Sequence, residues 1–348
     1  MAGGAPPAGA ASVPRAARTI PVPQPLALRG ASLVAAVLTG SPLQSAFFAG
    51  PWREALAAAG GPFDLVVVLL PQRLGPGVAG ALPKAPLVVD YVDALAAAAR
   101  QAARADPALW RRLYWRLEAP RLERAERAAA AGARVLLATT PFDAAHLPAG
   151  TVAVANGVEI GPAPRGDRGP VVAFAGRLRY RPNELAVRRL VKEIWPEVRA
   201  EVPEAQLLLG GADAPPDVTR LDGRDGIEVT SPVPDMSAFL RRARAVAIPV
   251  ALGTGTPNKL FEAFEAGCAV VASEEAAGRA AAGGTLPPAV TASSSSAFAS
   301  SLVCYLRDPV RAASDGARGR AWVEANADRR HALAALSAGY RRARGEAA

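Results

Sequence analysis

Residues 245–273 read AVAIPVALGTGTPNKLFEAFEAGCAVVAS, and their pattern decides the fold class. A short apolar run (245–250) leads through a glycine-threonine loop into Pro257, then into an amphipathic helix. Gly267 stops that helix, and a second apolar run follows at 269–273. Short apolar strands joined through a helix are the unit of a parallel sheet covered on both faces. The same pattern extends outward. Runs at 171–176, 205–211 and 226–231 read as strands, with amphipathic helices at 183–202 and 235–243. This half is expected to be a doubly wound α/β domain. Before it, runs at 64–70, 86–92, 134–140 and 151–156 repeat the pattern less completely, with helices at 28–40 and about 108–131. TIPV at 19–22 fits an outer strand, and residues 1–18 have the composition of a disordered tail. The expected organisation is therefore a tail (1–18), an incomplete first domain (19–158) and a Gly/Pro-rich linker (159–169). A second domain (170–310) and C-terminal helices (311–348) complete it, the last helix crossing back to the first domain.

Composition narrows the function. The 348 residues suffice for two domains with their own cores. No apolar run approaches the ~18 residues of a membrane span, and the start lacks the apolar region of a secretory signal. Two cysteines, Cys268 and Cys304, offer neither a disulfide framework nor metal spacing, which suits a reducing cytoplasm. His146 and His331 are the only histidines, too few for a His-based metal centre, and no metal site is expected. The net charge of +9 is scattered arginine without a nucleic-acid recognition module, so nucleic acid is not an expected partner.

Ligands of open α/β sheets bind beyond the carboxyl ends of the strands. The loop 253–256 (Gly253, Thr254, Gly255, Thr256) stands there, where glycines let backbone N–H groups approach an anion and the helix start adds partial positive charge. Lys259, one of three lysines in the chain, falls beside that anion, and Glu262, a turn on, suits paired hydroxyls such as those of a ribose. Gly176 and Arg177 end the strand 171–176 at the equivalent position. The same loop also reads as an ordinary helix start with Thr256 as its N-cap.

These segments resemble the nucleotide-sugar domain of family-four glycosyltransferases, through VVAFAGRLRYRPNELAVRRL (171–190) and GTGTPNKLFEAFEAG (253–267). The Tyr180/Pro182/Asn183 pattern is similar to a bacterial subgroup tied to exopolysaccharide loci. The resemblance spans about residues 20–345, and it implies a GT-B fold of two Rossmann-like domains facing a cleft. It also implies retaining sugar transfer from a nucleotide diphosphate to a saccharide or lipid-linked acceptor, with no required cofactor. By that resemblance Gly176, Arg177 and Lys259 meet the diphosphate, Glu262 the ribose, and residues 253–256 the phosphates and donor sugar. Three departures accompany it. Thr254 stands where the family has the first of two spaced glutamates; the region after Arg177 lacks a common lysine; and the sequence reads as beginning after the family's opening strand and glycine-rich loop, through either a misassigned start or a truncated first domain. The alternative is a catalytically weak nucleotide-sugar-binding partner subunit.

Asp90 and Asp93 sit at the end of strand 86–92 and are candidates for the acceptor side, Asp93 also reading as the cap of the next helix. In the helix near 108–131, Leu109, Leu113 and Leu117 have the spacing of core contacts. Its Trp110 and arginines offer peripheral contact with an anionic membrane at the inner face of the cell envelope, weighed against a plain solvated outer helix.

Overall fold

A computed structural model describes residues 22, 26–48, 50–74, 82–163, 166, 168–253, 255–282 and 284–346. The tail at 1–18 and all of TIPV but Val22 lie outside the described residues. Contacts divide the chain into two compact units, residues 64–72 with 86–348, and residues 1–63 with 73–85.

The larger unit holds two sheets, both wholly parallel. The first runs β1 (Val66–Leu69), β2 (Leu87–Asp90), β3 (Val135–Ala138) and β4 (Thr151–Ala153) in chain order. Alternation along these strands splits its packing between two faces. Val89 and Leu136 meet Tyr91, Ala97 and Leu147 on one, while Val88, Val135 and Leu137 meet Leu336, Tyr340 and Ala343 on the other. The final helix, Arg329–Arg344, therefore covers the first sheet, and Arg134 Nη1 donates to the Ala343 carbonyl at 2.9 Å. The chain reaches it by a crossing at Val158, whose N–H donates to Ala327 and whose carbonyl accepts from Arg329. Gly157 permits this approach, since a Cβ there would lie 2.3 Å from the Arg329 Cα.

The second sheet comprises β5 (Val171–Ala175), β6 (Gln206–Gly210), β7 (Ile227–Thr230), β8 (Ala245–Ile248), β9 (Ala269–Ala272) and β10 (Val290–Thr291). Its order is β10-β9-β8-β5-β6-β7, so the winding reverses between β5 and β8. Fully buried Ala173, Phe174, Leu208, Val246 and Val271 form its centre, the cost of fixing these strands being met by burial on both faces. The helix expected at 183–202 spans Arg181–Arg189 and Trp195–Glu201, joined by a π-turn at Leu190–Ile194. Pro196, lacking an N–H, explains why the regular ladder is interrupted there.

The smaller unit contains the helix Leu26–Thr39, a 3₁₀ turn at Leu43–Phe48 and the helix Trp52–Ala59. The Trp52 indole donates to the Phe48 carbonyl, and the Arg73 guanidinium lies 5.9 Å from the Phe48 ring centroid. No helix among the described residues is long and apolar enough to cross a membrane.

Candidate functional site

At the reversal between β5 and β8, two loops emerge side by side, 176–180 after β5 and 249–257 after β8. Crevices at such reversals are where open α/β sheets take ligands. Gly176 has φ 145°, and a Cβ on it would meet Asn183 Nδ2 at 2.9 Å and Lys259 Nζ at 3.1 Å. Asn183 is buried and joins the pieces: its Nδ2 donates to the Arg177 carbonyl at 2.8 Å, and its Oδ1 accepts from Lys259 Nζ at 2.6 Å. The Lys259 ammonium also lies 4.4 Å from the Phe174 ring centroid. Burial lowers the Lys259 pKa to about 7, partly opposed by the nearby Glu262 carboxylate. Burial raises the Glu262 carboxyl in turn, partly opposed by Lys259. A half-buried lysine whose hydrogen bond goes to a neutral amide gains from any anion brought to it.

The Arg177 side chain points elsewhere. It is 71% exposed, with Nε donating to Asp213 Oδ2 at 2.6 Å, so only its backbone is tied to Lys259 through Asn183.

The loop after β8 is held by groups from the segments that follow β2 and β3. Gly253 donates to Gln101 Oε1 at 3.4 Å, Gly255 to Asp143 Oδ2 at 3.2 Å, and Thr256 Oγ1 to the Thr139 carbonyl at 3.3 Å. Gly255, at φ 75°, has a backbone that strains other residues, and a Cβ there would fall 2.0 Å from Asp93 Oδ1, so the Asp93 carboxylate would have to swing away. Thr254 lies outside the described residues. Thr256 is not the N-cap: Pro257 occupies that position, without a side-chain cap, ahead of the helix Asn258–Glu265. Nor does Asp93 cap the helix Leu95–Ala105, whose N-cap is Ala94; its carboxylate turns toward Gly255 instead. Asp90 Oδ1 accepts from the Val92 N–H at 2.9 Å, fixing a turn in which Val92 has φ 61°, and burial raises the Asp90 carboxyl.

Three contributors escaped the sequence. Asn183 was noted only as part of a resemblance. Asp143, fully buried, accepts from Ala94 N, Gly255 N and the Thr140 hydroxyl. Its local signal is the Thr140–Pro141–Phe142–Asp143 capping pattern of the short helix Pro141–His146. Arg279, 7% exposed at the end of the helix Glu274–Arg279, stands close enough to Glu275, Asp143 and Tyr180 to feel their charge, though burial lowers its pKa overall. Among the described residues, no three His, Cys, Asp or Glu side chains gather to hold a metal ion.

Comparison with known proteins gives this geometry a setting. Residues 169–308 match the family described as Glycosyl transferases group 1. That segment is similar to a glycosyltransferase domain. It contains Gly176, Arg177, Asn183, Lys259 and Glu262, and it covers less than half of the chain. None of the curated proteins matches the chain by sequence. Among solved structures, sucrose-phosphate synthase from Thermosynechococcus elongatus is similar at TM-score 0.64 and 18% identity, over 83% of this chain and 76% of that one. HepE of Anabaena, solved with UDP and glucose, is similar at TM-score 0.61 and 15% identity, over 83% and 80%. TarM is similar at TM-score 0.61 and 11% identity; 83% of this chain is covered, but only 57% of TarM. At these identities the likeness is one of fold: two parallel α/β sheets, as the GT-B class has.

Proposed function

We propose that the chain moves a sugar from a nucleotide diphosphate to a hydroxyl of a saccharide or lipid-linked acceptor, with retention at the anomeric carbon. Its place is the cytoplasmic assembly of exopolysaccharide or another cell-envelope glycan. In this reading Lys259 and the N–H groups of loop 253–256, Thr254 included, hold the diphosphate beside Gly176, while Glu262 holds the ribose hydroxyls. Arg177 exchanges Asp213 for the phosphates when donor is present. Asp90 and Asp93 lie on the acceptor side.

The seat of Lys259 carries the proposal. Its ammonium, held by Asn183 against Gly176 at the sheet reversal, lacks a directly bonded carboxylate among the described residues and is matched to an arriving diphosphate. As the bond between the anomeric carbon and phosphate oxygen breaks, its electron pair passes to the diphosphate. The acceptor oxygen bonds the same carbon and gives its proton to the departing phosphate. Fixed cationic and N–H groups around the diphosphate stabilise the charge that develops there. UDP is the first nucleotide to try, since HepE and the pneumococcal transferase GtfA were solved with it and share the fold.

Calorimetric titration of UDP, GDP and ADP into the full chain tests this. One nucleotide is expected to bind, and Lys259→Ala and Glu262→Ala should each weaken it at least tenfold, about 1.4 kcal/mol. A well-folded wild type that binds none of them overturns the proposal. Binding without transfer to any offered acceptor would instead favour the catalytically weak partner subunit.

A further inference from the structure

The helices Leu95–Ala105 and Leu109–Ala130 form a hairpin whose turn and neighbouring helical ends play no part in the donor site. The longer helix uses one face for the core. Ala119 and Leu122 pack with Ala96 and Ala99, and Glu126 Oε1 accepts from the Ala96 N–H at 3.0 Å. The spacing of Leu109, Leu113 and Leu117 suggested more core, but the structure puts them on the opposite face. Leu109 is 75% exposed, Trp110 69%, Leu113 60% and Leu117 57%. Residues four apart stack along one line, so these four side chains make an apolar ridge about 12 Å long.

The ridge is bordered by cations. Arg104 and Arg116 are exposed, Arg111 and Arg112 half-buried, and the Arg111 guanidinium lies 5.0 Å from the Trp110 ring centroid. The acids of the same stretch are withdrawn: Asp106 is buried beside Arg181, and Glu118 is fully buried. A groove next to the ridge is lined by Arg100, Arg104, Arg116 and Pro120, with Glu123 as its one acid. Glu123 is bonded to Arg100 and Arg127.

We propose that this hairpin tip rests on an anionic bilayer surface. Leu109, Trp110, Leu113 and Leu117 enter the boundary between headgroups and acyl chains. Arg104, Arg111, Arg112 and Arg116 meet lipid phosphates, and the arginine groove takes a headgroup. A tryptophan among leucines at the end of a basic helical face is suited to that boundary. Charge argues against a second copy as the occupant, because tip-to-tip pairing would set these arginines against one another. The inference is independent of the donor site, and it brings the enzyme to the surface where a lipid-linked acceptor would lie.

Flotation of the full chain with vesicles tests it. Binding is expected to phosphatidylcholine vesicles containing phosphatidylglycerol, and not to phosphatidylcholine alone. Arg111→Gln with Arg116→Gln should lower partitioning about fivefold per arginine, and added salt should mimic that loss. Leu113→Glu with Leu117→Glu should lower it at least tenfold. All four positions lie on the surface or half-way to it, so both variants should melt as the wild type does and bind nucleotide equally well. Absence of binding to the anionic vesicles overturns the proposal, as does binding that neither pair alters. Self-association in sedimentation that the leucine pair abolishes, without vesicle binding, would assign the ridge to a second copy.

Discussion

The two sheets of the larger unit use one grammar with different outcomes. The second sheet reverses its winding between β5 and β8 and so sets Gly176 and the loop after β8 side by side. The first sheet runs β1 to β4 in order, with no reversal among its described strands. It contributes to the site from outside, through Asp143, Gln101 and Thr139 on the loop of its neighbour. One sheet sets two loops side by side by topology; elements around the other hold the second of those loops by hydrogen bonds. Sheet order therefore decides where the Lys259 seat is built, even where both sheets are parallel α/β.

The largest effect that would break this contrast lies at Gly211, after β6. Its φ is 146°, and a Cβ there would fall 1.7 Å from the Gly176 carbonyl oxygen. Gly211→Ala should destabilise the second sheet by about 3 kcal/mol or more in urea unfolding. Asp143→Ala comes next. It strands the Ala94 and Gly255 N–H groups and takes away the acceptor of the Thr140 hydroxyl, for about 2 kcal/mol. Asp143→Asn should recover part of that loss.

Protonation of Lys259 gives the third. With its pKa lowered from 10.5 to about 7, the folded chain releases a proton that the unfolded chain keeps between those values. Stability should therefore rise with pH across that window, a trend that Lys259→Met removes. An arriving diphosphate recharges the lysine, so nucleotide affinity should fall about tenfold per pH unit above pH 7. Calorimetry in buffers of different ionisation enthalpy would read the accompanying proton uptake. The smallest effect belongs to Arg177→Ala. Removing an exposed pair with Asp213 should change stability by less than about 0.5 kcal/mol, while lowering nucleotide affinity several-fold.

Strands β5 to β9 were legible in the sequence to within two residues at either end, because burial on both faces writes them as unbroken apolar runs. β10 was not, since Val290–Thr291 is two residues long and takes its strand identity from pairing with β9. Lys259 and the glycine loop were legible through their place after a strand. Asn183, Asp143 and Arg279 acquire their meaning only from partners far along the chain, such as Lys259 76 positions from Asn183. Leu109, Leu113 and Leu117 show the limit from the other direction. Their period announces an apolar stripe but does not say what covers it.

The final helix has a consequence in time as well as in space. Arg134 and Ala343 are joined by a hydrogen bond across 209 positions, and Leu336 and Tyr340 close one face of β2 and β3. At about 5 to 20 residues per second, a ribosome takes about 10 to 40 s to travel that distance. Throughout that interval Val88, Val135 and Leu137 await their cover while the second sheet is made beside them. The sheet that emerges first is thus completed last, and the nascent chain must keep an apolar face from other chains until its closing helix arrives.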